Sequence, residues 1–153
     1  MSQLFSHLRV SSEYSISQGL LTIDQIVENA EKYSSPSVAL TDQSNMFGLV
    51  KFFNKCEAAG IKPISGASIR VIFENDGNAY ELLCLAKTNV GHKNLMKIIS
   101  NAHNNTSFKT PIIKFNDLIE LKDDIVVISG GKGSHIFEYL KRDNFKEANA
   151  IIE

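Results

Sequence analysis

Ser37 to Ala67 reads SVALTDQSNMFGLVKFFNKCEAAGIKPISGA, and the fold is decided by how this stretch is parsed. Ser37–Thr41 is short and apolar, the pattern of a buried strand. After a polar turn, Met46, Phe47, Leu49, Val50, Phe52 and Phe53 build a strongly apolar helix that runs to Ala59. Gly60 stops it, because helices commonly end on a left-handed residue and glycine carries no Cβ penalty there. Ile61–Phe73 reads as a second strand, with Pro63 near its start, where a missing N–H is tolerated. Strand, helix, strand in this order predicts an α/β fold with a largely parallel sheet.

The same reading extends in both directions. Upstream, Leu4–Val10 reads as a first strand. Thr22 and Gln25 form a capping-box pattern, and Ile23, Ile26, Val27 and Ala30 then fall on one helical face. Downstream, Glu74–Asn78 is turn chemistry and predicts a hairpin into Tyr80–Lys87. A third helix follows Asn89, with Leu95, Ile98, Ile99 and Ala102 inward. Asn104–Thr110 is a loop, Asn116–Leu121 a short helix, and Asp124–Ser129 a further buried strand closed by Gly130 and Gly131. Helical patterns carry the chain from Ser134 onward. About five strands do not close an eight-stranded barrel, so a piece of something longer is expected.

The chain has 153 residues, a formal net charge of −1 and a pI near 6.4. That balance argues against a free-standing nucleic-acid binder, which shows a strongly basic face. Cys56 and Cys84 sit in apolar surroundings and read as buried reduced thiols. No signal-peptide pattern is present and no apolar run is long enough to span a bilayer. A cytoplasmic protein with no membrane association is expected.

In α/β enzymes the chemistry sits at the carboxyl ends of parallel strands. Those ends carry Arg9, Ser11 and Ser12; Thr41, Asp42 and Gln43; Gly66, Ala67 and Ser68; and Ser129, Gly130 and Gly131. Zinc and its neighbours need several histidine, cysteine or carboxylate ligands at once, and only Asp42 qualifies. His7, His92, His103 and His135 share no ligand spacing and read as structural, His7 through a hydrogen bond in the site wall. In ISGGKGS, Lys132 precedes Gly133, so the phosphate-loop pattern fails. The glycines read as a tight strand-to-helix turn whose N–H groups offer an anion a weak site. No nucleophile elbow is present. Lys51, Lys55 and Lys62 make no continuous basic stripe.

HLRVSSEYS, the following SQG, VALTDQSNMFGLVKFF, AAGIKPISGA and LAKTNVGHKNLMKIIS occur in this order. Together they resemble the N-terminal PHP (polymerase and histidinol phosphatase) domain of bacterial DNA polymerase III alpha subunits, over about Phe5 to Gly131. The resemblance implies a PHP-type distorted (β/α) barrel, with residues 1–153 as the N-terminal part of such a domain in a much longer chain. Active members hold metals through an H-x-H pair, an acidic residue, the histidine of T-D-H and a glutamate after I-x-G. The matching positions here are Arg9 and Ser11, Gln18, Gln43 and Ser68, and only the neighbouring Asp42 keeps a carboxylate.

The resemblance therefore implies a degenerate, non-catalytic domain that needs no cofactor. In it, Arg9 is expected to pair with Asp42 in place of the metal. Its implied partners are the remainder of the polymerase III alpha chain and the proofreading exonuclease (epsilon) subunit, with DNA met only through the parent polymerase. The competing expectation is an active metal-dependent phosphoesterase using Asp42, Glu81 and His7.

Overall fold

In the computed structural model, which describes residues 5–73, 77–105, 107 and 109–152, a mixed sheet is built around one long strand. β1 (Ser37–Leu40) runs parallel to β2 (Lys62–Ile72), with Ser37 beside Lys62 and Leu40 beside Ser65. β2 turns back into β3 (Ala79–Ala86), antiparallel from Gly66–Leu85 to Ile72–Ala79. The two-residue β4 (Ile113–Lys114) adds in parallel beside Val71 and Ile72. β5 (Ile125–Ser129) closes the order β1-β2-β3-β5 by pairing antiparallel with β3.

The expectation of a largely parallel sheet is thus corrected, since its two longest ladders are antiparallel. The β2–β3 connection is a short hairpin, whereas a parallel return needs a crossover of a dozen residues or more. Part of the predicted hairpin turn, residues 74–76, lies outside the described residues, as do 106 and 108 of the predicted loop. The expected first strand does not form over the described residues 5–10. A bend at Leu8 interrupts it. What remains is a single bridge from His7 to Val38, with the Ala39 N–H donating to the His7 carbonyl and the Thr41 N–H to that of Val10.

The helices follow their sequence signals more closely. α1 (Ile23–Lys32) carries the full capping box between Thr22 and Gln25 and buries Ile23, Ile26, Val27 and Ala30. α2 (Leu49–Ala58) starts three residues later than its apolar run and ends before Gly60, at φ +67°. Its inner face is Leu49, Phe52 and Cys56, while Val50 remains 75% exposed. Lys51 and Lys55 reach Asp24 of α1 at 3.1 and 2.9 Å, and together they hold its carboxyl below the usual range. α3 (Asn89–Asn104) is capped by Thr88 and buries the four aliphatic positions the pattern named, along with Gly91. α4 (Phe115–Glu120), a single 3-10 turn at Gly131–Gly133, α5 (His135–Lys141) and α6 (Phe145–Ile152) complete the chain.

Apolar packing falls mainly into two clusters, beside a small third one of Ala39, Leu83 and Leu85. One face of β2 and β3, including Ile69, Val71, Leu82 and Cys84, packs against Leu95, Ile98 and Leu118 from α3 and α4. α1 and α2 enclose Val38 and Leu40 of β1 in the other. Burial pushes the Cys56 thiol up to about 11 and that of Cys84 to about 12, so both stay protonated and inert. β5 corrects another expectation. Val126 and Val127 are 40% and 43% exposed on its two faces, and among the described residues β5 is the edge of the sheet and not a buried strand.

Candidate functional site

One residue, Thr41, separates Asp42 from the end of β1, and the chain there stays fixed to β2. The Ser68 N–H donates to the Asp42 carbonyl at 3.1 Å and the Ser44 N–H to the Ser68 carbonyl at 2.8 Å. This carries Asp42 inside the protein, at 1% exposure. Among the described residues no cation meets its carboxylate; three hydrogen bonds do. Oδ1 accepts from the Ser12 backbone N–H at 2.7 Å and the Ser15 hydroxyl at 2.6 Å, and Oδ2 accepts from the Ser12 hydroxyl at 2.7 Å. Bonds to an ionised acceptor are the strong kind, and they offset the cost of taking the charge out of water.

The two serines are themselves held. The Ser15 N–H donates to the Ser12 carbonyl at 2.9 Å, closing a turn, and the Gly19 N–H returns to the Ser15 carbonyl at 2.8 Å. A Cβ on Gly19 would lie 1.8 Å from the Ser12 carbonyl oxygen, so only glycine lets the loop close. The Ser15 hydroxyl also accepts from the Gln43 N–H at 3.0 Å. Asn45 pins both strands of the loop by donating to the carbonyls of Tyr14 and Gln43.

Arg9 is elsewhere. Its guanidinium donates to the Glu81 carboxylate on β3, with the Arg9 side chain 53% exposed. The expected Arg9–Asp42 pair is therefore corrected. The bend at Leu8 leaves Arg9 outward, and serine hydroxyls already fill the space around Asp42. Arg70 stands opposite Glu81 in the β2–β3 register and donates to the Thr110 hydroxyl at 3.0 Å.

A family model for the PHP domain matches residues 7–153. The chain belongs to the PHP domain family. It is 36% identical over 151 residues to a Vibrio cholerae protein named DNA polymerase III subunit alpha, covering 97% of this chain and 13% of that one. The like-named protein of Escherichia coli K12 is 39% identical over 142 residues, covering 92% of this chain and 12% of that one. For the Bacillus subtilis protein of that name the identity is 34% over 146 residues, covering 94% and 13%. The chain thus spans about one-eighth of the length of these relatives. A crystal structure from Bifidobacterium adolescentis, assigned as a metal-dependent phosphoesterase, overlays with a TM-score of 0.49 at 17% identity, covering 95% of this chain and 50% of that one.

In this PHP domain the six positions singled out from sequence divide into three groups. Asp42, Gln43 and Ser68 are brought together, Gln43 beyond β1 forming a direct bridge with Ser68 inside β2. The buried Oε1 of Gln43 has no hydrogen-bond partner among the described residues. Arg9 lies across the same sheet on Glu81, while Gln18 is exposed and Ser11 half-buried on the adjoining loop. The donor set does not fit a metal cluster. Both Asp42 oxygens already accept hydrogen bonds, and the other positions offer a guanidinium, hydroxyls and amides. Among the described residues no three His, Cys, Asp or Glu side chains gather in ligand geometry.

The PHP domain's histidines have structural settings. His7 corrects the expected side-chain role in the site wall: its backbone carbonyl makes the bond, while its exposed ring meets Phe5 edge-on at 4.8 Å. His92 Nδ1 lies 3.0 Å from the Ser65 hydroxyl, and His103 Nε2 donates to the Ser44 carbonyl at 2.7 Å. His135 is buried among the rings of Phe73, Tyr80 and Tyr139. Gly130 and the Gly131–Gly133 turn form the expected link from β5 to α5.

Sequence reasoning missed Ser15 and the role of Ser12. The available signal was two hydroxyl residues three apart in a turn closed by glycine, facing a strand that ends in aspartate.

Proposed function

We propose that this chain is the N-terminal part of the PHP domain of a replicative DNA polymerase III alpha subunit, and that the domain is non-catalytic. On this reading it scaffolds the polymerase core of its own longer chain, supplies a docking surface for the proofreading exonuclease (epsilon) subunit, and meets DNA only through the parent polymerase in the cytoplasm. It needs no metal or other cofactor. The observation that carries the reading is the state of Asp42: its carboxylate accepts three hydrogen bonds from Ser12 and Ser15, and the positions that the resemblance assigns to metal ligands hold Arg9, Ser11, Gln18, Gln43 and Ser68. The phosphoesterase alternative would need Asp42, Glu81 and His7 at one ion. Instead, Glu81 binds Arg9 and the His7 ring packs on Phe5.

Elemental mass spectrometry on untagged protein, followed by titration with zinc and manganese, tests this directly. The expected result is a small fraction of an equivalent bound and no tight site. Two or three equivalents held tightly would overturn the ligand argument and restore metal-dependent phosphoester cleavage as the function.

A further inference from the structure

A groove of about 710 Å3 opens between α2, α3, the start of β2 and the end of β3. Because β1 and β2 are parallel, the groove at Lys62–Ser65 and the carboxylate beyond β1 lie toward opposite ends of the sheet. Its walls are apolar, from Phe53, Ile64, Leu85 and Val126. One polar pair is set among them: the Ser65 hydroxyl, in a residue only 6% exposed, and His92 Nδ1. Lys62 and Lys87 stand at the rim without an ion-pair partner among the described residues, and no Asp or Glu lines the groove. Asp124 accepts from the hydroxyl of the lining Thr88 at 2.7 Å, so two lysines outnumber one nearby carboxylate, and an apolar trough with that cationic excess is complementary to apolar groups flanked by carboxylates.

The apolar surface does not end with the groove. A second hollow on the outer side of α2 shares Val50 and Asn54 with it and adds Phe47. Val50 and Phe47 are 75% and 74% exposed, too much contiguous apolar surface at one helix to be scattered residues. α2 has 10 residues, hence a length of about 15 Å. That is the span of roughly five residues of extended peptide, longer than a compact small ligand would cover.

We propose that this track docks an extended acidic peptide segment, with alternate apolar side chains on Val50, Phe53 and Ile64 and its carboxylates toward Lys62 and Lys87. The proposal goes beyond the exonuclease-docking reading, because it rests on the chemistry of the groove alone.

Fluorescence anisotropy tests it with a labelled hexapeptide of alternating leucine and aspartate, beside the same peptide with lysine for aspartate. The acidic peptide binds at least about tenfold more tightly than the basic one, a difference of roughly 1.4 kcal/mol. Val50→Ser, and Lys62→Glu combined with Lys87→Glu, each weaken it by a comparable factor. Val50 and both lysines are exposed, so circular dichroism of the variants stays that of the parent; Lys146→Glu, on exposed α6 surface, leaves binding unchanged. Equal affinity for the two peptides, no binding at millimolar concentration, or indifference to these substitutions would overturn the proposal. So would sedimentation showing a dimer that Val50→Ser dissociates, since the occupant would then be a second copy of the chain.

Discussion

Replacing Asp42 by alanine isolates the term that organises the site. The substitution removes both acceptor oxygens and leaves three buried donors: the Ser12 N–H, the Ser12 hydroxyl and the Ser15 hydroxyl. An unsatisfied buried donor costs about 1–3 kcal/mol. The hydroxyls have freedom to rotate, and Ser12 Oγ already accepts from the Tyr14 N–H at 3.3 Å, so the three penalties do not all apply in full. The backbone N–H of Ser12 has no such freedom. The expected loss is about 3–5 kcal/mol, a large part of the roughly 5–15 kcal/mol that holds a typical domain together. Asp42→Asn keeps one carbonyl acceptor and is expected to lose about 1–3 kcal/mol. Urea unfolding followed by circular dichroism measures both, with the slope checked for constancy so that the midpoint shift reports stability. Ser12→Ala and Ser15→Ala complete the set, and because they share one acceptor their double mutant should be non-additive by about 0.5 kcal/mol or more. A loss below about 1 kcal/mol for Asp42→Ala, at unchanged slope, would refute the reasoning. Asp42→Asn more stable than the parent would refute it differently, by showing that the buried charge costs more than its hydrogen bonds return.

The Arg9–Glu81 pair is exposed, so Arg9→Ala should change the unfolding free energy by no more than about 1 kcal/mol; a loss above 3 kcal/mol in the same urea assay would mean that Arg9 supports buried charge after all. Cys84 provides a pH test. Its thiol is raised from 9.0 to about 12, so the folded state holds its proton where the unfolded state has lost it. The contribution is fully present below pH 9 and is lost as pH rises toward 12, at up to about 1.4 kcal/mol per unit. Unfolding curves from pH 8 to 10.5 should show this alkaline loss reduced in Cys84→Ala, and an identical slope in the two proteins would contradict it.

What was legible in the sequence was whatever depends on local periodicity and on chemistry within a few residues. The capping box at Thr22, the buried faces of α1 and α3, the stop at Gly60 and the hairpin after Phe73 are of that kind. The strand expected from Leu4 to Val10 does not form over the described residues 5–10, because a short apolar run says nothing about a bend at Leu8. The uniformly apolar Ile125–Ile128 reads as a buried strand, and periodicity does not reveal that β5 lies at the edge of the sheet formed by the described residues. At the site, the positions around Asp42 were legible through resemblance, but their pairing was not. Arg9 and Asp42 have opposite charges and sit at matching strand ends, which makes their pairing attractive on paper. The competing donors, Ser12 and Ser15, carry no charge, and only the loop closed at Gly19 brings them to the carboxylate.

On the proposed non-catalytic reading, that loop also bears on how such a domain holds together. A buried carboxylate needs positive potential around it, and a cation is only one source. Oriented N–H and O–H dipoles at 2.6–2.7 Å are another, and here the chain supplies them itself. The energetic consequence differs. A site completed by metal makes the ion's binding free energy part of folding, so stability follows metal supply and pH. On the proposed reading, one completed by Ser12 and Ser15 has no such linkage, because residues 12–19, the segment after β1 and Ser68 of β2 are held by hydrogen bonds within the chain. On the proposed reading this is what a scaffold requires, since a surface that docks partners must keep its shape whether or not ions are available. Chelator therefore becomes a discriminating reagent: thermal unfolding with and without EDTA should coincide, and a lowered transition in EDTA would place an ion back at the centre of the fold.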